Sequence, residues 1–355
     1  MTSPLPPLPA QPAGARSPTH EWRTGSIDDA AVSSRVDRAA HALFAAPEQN
    51  PCGRTDALLV VKGSELVLER YREGHSASDT FHSWSMAKSI THALVGILVR
   101  DGRVETGASR LAPAWQDEHD PRSRITLEDL LRMVDGLAFV EADHAARRFD
   151  VVEMIQGAGR TDTAAWAQAL PLVCPPGRRW AYSSAATLLV CALLGRIVGG
   201  GPEGMEAFMR TRLFDPLGMT SAKPRFDPAG TYLGSSFLFA TARDFARFGL
   251  LYLRDGEWDG ERILPRGWVD HARTPTPASL GAYGAHWWLA RDGSGIFSAN
   301  GFRGQHIVVV PTRDLVVVRL GASSRPQRVR LEHALAVLVS CFPTVWSEAL
   351  DVDAS

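Results

Sequence analysis

Ser85 and Lys88 lie three residues apart in Phe81-His82-Ser83-Trp84-Ser85-Met86-Ala87-Lys88-Ser89-Ile90. An apolar run at helical spacing follows at once, through Ile90, Ala93, Leu94, Ile97 and Leu98. That periodicity predicts a helix with Ser85 in its first turn. Residues i and i+3 share a helix face, so the hydroxyl and the amine can meet. A serine alcohol is a weak nucleophile until a neighbouring base takes its proton, and the S-x-x-K pattern supplies one. A helix start adds unpaired N–H groups and partial positive charge close to the serine. The chain has three lysines, Lys62, Lys88 and Lys223, against 35 arginines. Arginine keeps its proton, whereas a desolvated lysine can release it, so a lysine at this position carries weight. The plain alternative is a lysine on a solvated helix face.

A serine hydrolase also needs a proton route to the leaving group and two donors for the oxyanion. Tyr182, in Trp180-Ala181-Tyr182-Ser183-Ser184, follows Pro176-Gly177 and precedes an apolar helix. It is a candidate for the proton route; a half-buried packing tyrosine is the alternative. Gly301-Phe302-Arg303-Gly304-Gln305 leads into a strand, where glycines let another backbone come close. A bulge or tight turn would read the same way. Asp117-Glu118-His119-Asp120 has metal-ligand residue types, but sequence neighbours in a loop point apart, so a solvated turn is expected and no metal site. Trp287-Trp288 fits an acyl pocket or core packing equally. There is no G-x-S-x-G elbow, H-E-x-x-H or phosphate-cradling loop, and no cofactor is expected.

The elements that must position these residues fall into three parts. Residues 1–25 are rich in Pro, Ala and Ser and read as a flexible arm. A helix is expected from Ser26 as N-cap, with Val32, Val36, Ala39, Ala40 and Leu43 on its apolar face. Ala57–Val61 and Leu66–Tyr71 read as strands of a hairpin turning at Lys62-Gly63-Ser64-Glu65. Residues 103–285 read mostly as helices and loops. Thr126 to Asp129 forms a capping box in its acidic variant, and helices fit 162–170, 184–198, 203–212 and 241–254. His306–Val310 and Leu315–Leu320 are strands, followed by a helix over 326–341. The expected fold is α+β: one antiparallel sheet made from both chain ends (26–102 and 286–345), flanked by helices, with an inserted helical domain over 103–285 and a tail at 346–355.

Composition bounds the function. The chain of 355 residues is 45% hydrophobic, enough for a large core in one big or two intimate domains. A net charge of −1 argues against nucleic acid as a partner. No apolar run reaches the roughly 18 residues that span a bilayer, so no membrane partner is expected. The start lacks the charged and apolar regions of a secretory signal. Cys52, Cys174, Cys191 and Cys341 are scattered without a C-x-x-C, so a cytoplasmic location is expected.

Taken together, S-x-x-K, a Tyr-Ser-Ser about a hundred residues on and a Gly-rich strand entry near the C-terminus resemble the serine β-lactamase-like and penicillin-binding-protein family. The closer resemblance is to its esterase branch, the family VIII carboxylesterases and 6-aminohexanoate-dimer hydrolases. Leu130–Leu137, Pro176–Ser184, Asp215–Thr220, Ala240–Gly249 and Tyr283–Trp288 look like that branch too, so the likeness runs from about residue 26 to 340. It implies a β-lactamase/DD-peptidase-like fold and an acyl-enzyme on Ser85. Lys88 would accept the serine's proton, Tyr182 would relay one to the leaving group, and the backbone N–H groups of Ser85 and Phe302 would hold the oxyanion. Trp84, Ser184, Asn300, Gly301 and Arg303 are expected at the substrate.

Two positions depart from the family pattern. Ser184 stands where Y-x-N has its asparagine, and Ala299-Asn300-Gly301 stands where K-T-G or H-x-G is usual. The cation that meets a β-lactam carboxylate is missing. The expected reaction is hydrolysis of a small ester or linear amide. Acyl transfer on the same scaffold and a non-catalytic acylated sensor stay open, as does which of Lys88 and Tyr182 is the primary base.

Overall fold

The computed structural model describes residues 5–46, 50–143 and 145–345; the expected tail at 346–355 and the first four residues of the arm lie outside them. The first half runs α1 (Ala30–Leu43), β1 (Arg54–Lys62), β2 (Glu65–Tyr71), β3 (Thr80–His82), α2 (Ala87–Arg100), α3 (Leu127–Leu131), α4 (Asp150–Ile155) and α5 (Thr163–Gln168). The second half runs α6 (Ser184–Val198), α7 (Gly201–Met209), α8 (Asp215–Leu217), β4 (Lys223–Pro224), β5 (Leu238–Thr241), α9 (Ala242–Leu253), β6 (Glu257–Trp258), β7 (Glu261–Arg262), α10 (Trp268–Arg273), β8 (Trp288–Leu289), β9 (Phe297–Gly301), β10 (Gln305–Val310), β11 (Leu315–Ala322) and α11 (Arg325–Ser340).

Strands from both ends make one antiparallel sheet in the order β2-β1-β11-β10-β9-β8. Side chains alternate across a strand, and here both faces are covered. Ala57, Leu59 and Val61 of β1, with Val316 and Val318 of β11, face the main core that contains α2 and α9. Leu58, Val60, Leu315 and Val317 face a second core closed by α1 and α11. This two-sided burial explains why the central strands read as unbroken apolar runs. Gly249 of α9 lets that helix lie close on the sheet, since a Cβ there would come within 2.6 Å of Val316 and 2.8 Å of Ile307.

The expected helical insert is mixed. α9 lies on the main sheet, and β4 and β5 join β3 in a three-stranded sheet ordered β3-β5-β4. The capping box at Thr126 and Asp129 is present. The first helix starts later than expected. Asp29, not Ser26, is its N-cap and accepts from Ala31 and Val32 N–H, while Ser26 donates to Asp28. An ionised carboxylate is the stronger acceptor for a helix start.

Residues 5–25, expected as a loose arm, are seated on the body. Arg247, Arg254 and Arg273 are all buried, and a buried guanidinium needs acceptors. The arm's carbonyls supply them: Arg273 Nη1 donates to Pro6 O at 2.6 Å and Arg247 Nε to Pro18 O at 2.7 Å. Trp258 Nε1 donates to Thr19 Oγ1 at 2.7 Å, and Gly25 N and Leu66 O close the segment onto β2.

Candidate active site

Ser85 does not sit in the α-helix proper. Trp84 has φ +47°, a left-handed value that interrupts a right-handed helix, and Trp84–Met86 form a single 3-10 turn before α2. Ser83 ties that turn to the second sheet: its N–H donates to Leu238 O at 2.8 Å, and its Oγ accepts from Leu238 N at 3.1 Å. Ser85, in the middle of that turn, is half-buried.

Lys88, one turn on, is 1% exposed. Its Nζ donates to Ser85 Oγ at 3.3 Å, to Ser184 Oγ at 3.0 Å and to Ser235 O at 2.8 Å. Burial pushes its pKa down to about 8, and the charge of Glu141 pulls the other way. A lysine at about 8 is neutral part of the time near neutral pH, which a base requires.

Tyr182 arrives from the loop before α6. Ala181 N donates to Met133 O at 3.0 Å, and the Ser183 hydroxyl caps α6 through Ala186 N, so Tyr182 is pinned on both sides. Its ring lies 4.9 Å from Lys88 Nζ, and its hydroxyl is close enough to Ser85 for that side chain to favour the phenolate. Burial, with Glu141 adding to it, raises the phenol well above its ordinary value, so Tyr182 holds its proton. Trp288 packs beside it at 5.3 Å between ring centroids, whereas Trp287 is fully buried in the core.

Glu141 is the residue that sequence reasoning missed. It accepts from Ser184 Oγ and from Ser184 N, each at 2.7 Å. Ser184 therefore links Lys88 to a carboxylate. Expected at the substrate, Ser184 has no exposed surface and spends its hydroxyl on this link. Nothing in the spacing around Glu141 marks it, because its partners lie 43 residues and more away in the chain.

The β9–β10 turn closes the site from the other side. A Cβ on Gly301 would stand 2.4 Å from Ser83 O, so the end of β9 abuts the turn that carries Ser85 only because residue 301 is glycine. Phe302 follows directly, 53% exposed, with its ring edge-on to Trp84 at 5.1 Å. Arg303 is exposed, has φ +62° and sets its guanidinium over the Phe302 ring. Ala299 is buried against the main core, filling the place of the family's cation. Asn300, on the opposite face of β9, engages His306 Nδ1 through Oδ1 at 2.9 Å, not the serine's turn. The Asp117–Asp120 stretch is a turn in which Asp120 caps the next 3-10 segment and pairs with Arg122.

Comparison with known proteins gives the family and the fold. The family model described as Beta-lactamase matches residues 52–340. A 6-aminohexanoate-dimer hydrolase from Paenarthrobacter ureafaciens is 26% identical over 295 residues, covering 77% of this chain and 74% of that protein. A structure from Bacillus anthracis assigned as a 6-aminohexanoate-dimer hydrolase superposes with a TM-score of 0.73 at 23% identity, over 93% of this chain and 91% of the other. EstCE1, a hydrolase with promiscuous acyltransferase activity, superposes with a TM-score of 0.66 at 12% identity, over 88% and 99%.

Proposed function

The chain belongs to the beta-lactamase family, and from that premise we propose that it is a serine hydrolase forming an acyl-enzyme on Ser85 with a small ester or linear amide. The observation that carries this reading is a buried lysine, held at about 8, whose amine reaches the hydroxyl of half-buried Ser85 at 3.3 Å.

The two candidate bases differ in proton affinity. Lys88 sits near neutrality and Tyr182 far above it, and a base works best when its pKa is close to the working pH. Lys88 therefore takes the Ser85 proton as Oγ attacks the carbonyl. Tyr182, still protonated and beside Ser85, hands its proton to the departing oxygen or nitrogen and recovers one from Lys88. Water then attacks the acyl-enzyme with Lys88 again as base. The N–H groups of Ser85 and Phe302 face the developing oxyanion. Ala299 leaves no cation for a β-lactam carboxylate, which favours neutral esters and linear amides; the hydrolase of 6-aminohexanoate dimer among the relatives supports the amide half.

Intact mass after a fluorophosphonate probe, followed by turnover of p-nitrophenyl butyrate, tests the reading, with Ser85→Ala as control. Labelling and turnover are expected in the wild type and neither in the variant. A wild-type protein that is labelled but does not turn over would mean an acylated sensor; no labelling would end the proposal. Nitrocefin should be the poorer substrate. Added alcohols would divert the acyl group if transfer competes with water, as the name of EstCE1 reports for that protein.

A further inference from the structure

Arg319, in the middle of β11, is completely buried. Its acceptors are neutral: Nη1 donates to Gly304 O at 2.7 Å and Arg303 O at 3.4 Å, Nη2 to Arg54 O at 2.7 Å and Ser323 Oγ at 3.0 Å, and Nε to Thr55 Oγ1 at 3.1 Å. Asp56 attracts it from further off. A buried cation costs stability unless its hydrogen bonds are complete, and an apolar side chain of the same size is often the more stable choice. A role beyond stability is therefore worth seeking, and Arg319's grip on two consecutive carbonyls points to one.

Those carbonyls belong to the turn that carries the Phe302 N–H. Arg303 and Gly304 have φ +62° and +80°. A left-handed arginine is strained and persists only where its surroundings over-determine it. Arg319 holds the Arg303 and Gly304 carbonyls, and Ser323 N also donates to Arg303 O at 2.9 Å. Gln305 Nε2 holds the third carbonyl, Phe302 O, at 3.0 Å, and Gln305 is itself fixed to both polar groups of Gly321. Gly304 N in turn donates to Gly301 O at 3.2 Å, and Gly301 O shares a peptide plane with the Phe302 N–H. A Cβ on Gly304 would come within 2.9 Å of Arg319 Nη1, so the glycine is what admits the guanidinium.

We propose that Arg319 is a positioning residue for the oxyanion turn, gripping the carbonyls of Arg303 and Gly304 and so aiming the Phe302 N–H at the reacting carbonyl. This rests on the serine hydrolase reading above. It makes Arg319 a group that acts through the backbone, without touching substrate, and Gln305 its uncharged assistant.

The test uses Arg319→Met, Arg319→Lys and Gln305→Met on p-nitrophenyl butyrate, with active sites counted by fluorophosphonate end-point labelling. Losing one oxyanion donor costs about 10²–10³-fold in kcat, so a donor left loose should cost about 10²-fold in Arg319→Met with KM within about threefold. Gln305→Met should lose less in the same pattern, and Arg319→Lys, with fewer and unforked donors, should fall between Arg319→Met and wild type. Phenylboronic acid, whose adduct on Ser85 carries a tetrahedral oxygen, should lose affinity by the same factor as kcat. A merely structural role would lower the labelled fraction and leave both kcat per labelled site and boronate affinity alone, which would overturn the inference. If Arg319→Met does not fold, Gln305→Met decides by the same two readouts. Wild-type turnover with unchanged variants sinks this inference alone; an unlabelled wild type sinks the hydrolase reading and this one with it.

Discussion

Replacing Glu141 by glutamine removes a charge beside the base while keeping an oxygen for Ser184. Lys88 Nζ and Glu141 Oε1 bind the same hydroxyl, at 3.0 and 2.7 Å. The opposite charges are thus less than about 6 Å apart, and at an effective dielectric constant of about 20 they attract by about 3 kcal/mol. Glu141 is half-exposed, so solvent screens part of this, leaving about one pH unit of influence on Lys88. The direction follows from the chemistry: the carboxylate favours the ammonium, so its loss lowers Lys88 from about 8 to about 7. At pH 7 the neutral fraction then rises from about a tenth to about a half. If neutral Lys88 is the working form, the acidic limb of the kcat/KM profile moves down by about one unit. Activity at pH 7 should rise by up to about fivefold, with little change on the alkaline plateau. The assay is p-nitrophenyl butyrate hydrolysis from about pH 5.5 to 9.5, with melting temperature followed alongside, because Ser184 N loses a charge-assisted bond of about 1.5–3 kcal/mol. An acidic limb that stays in place refutes the reasoning. A profile that falls as pH rises through 8 would mean that the charged lysine is the working form.

Gly301→Ala should lower kcat by about 10²–10³-fold with an unchanged circular dichroism spectrum, because its Cβ would meet Ser83 O at 2.4 Å and backbone cannot yield as a side chain can; near-wild-type kcat would show that β9 need not touch the nucleophile's turn. Tyr182→Phe should cost about 10²–10⁴-fold, and more on amides than on esters, whose leaving groups need a proton less; equal losses on both would refute the leaving-group role. Asp135, buried with one oxygen accepting from Leu137 N at 2.8 Å, is pushed up to about 6 by burial. Its folded value lies above the unfolded one, so the folded state binds more protons and stability falls as pH rises from about 4 through 6. Asp135→Asn should therefore stabilise by up to about 3 kcal/mol at pH 7 and by little at pH 4, as read from urea unfolding at the two pH values; an equal effect at both would refute it.

The sheet was legible because its central strands are apolar on both faces and its turns carry Gly or Asp, as at Gly63 and Asp314. α11 was legible from periodicity because it buries one stripe, Leu331, Leu335, Leu338 and Val339, and α6 as an apolar run that is buried all round over its first two turns. Ser85 and Lys88 were legible because both lie within one turn of chain. Where sequence reading failed, long-range partners decide the outcome. The Pro-rich arm looks loose because nothing within it packs, yet its carbonyls serve Arg247 and Arg273, 229 and 267 residues away. Glu141 and Arg319 bond to residues distant in the chain, and no local pattern marks either. The 3-10 turn at Trp84–Met86, which sets Ser85 ahead of α2, is tied to the second sheet through Ser83 by bonds that no local pattern marks.

The pairing of β1 with β11 sets Arg54 opposite Ala322 and Lys62 opposite Leu315, so the middle of the sheet joins the two ends of the domain. Closing so long a loop adds little to the equilibrium cost, since each doubling of length is worth about 0.6 kcal/mol, but it delays the pairing in time. Synthesis runs from the N-terminus, so Ser85 and α2, which carries Lys88, leave the ribosome long before β9–β11. On the proposed mechanism, the chain until then has its nucleophile and base but neither the oxyanion turn nor the strand proposed to hold it. Fragments released early, by truncation or proteolysis, would be chemically silent, and activity would appear only with the last strands.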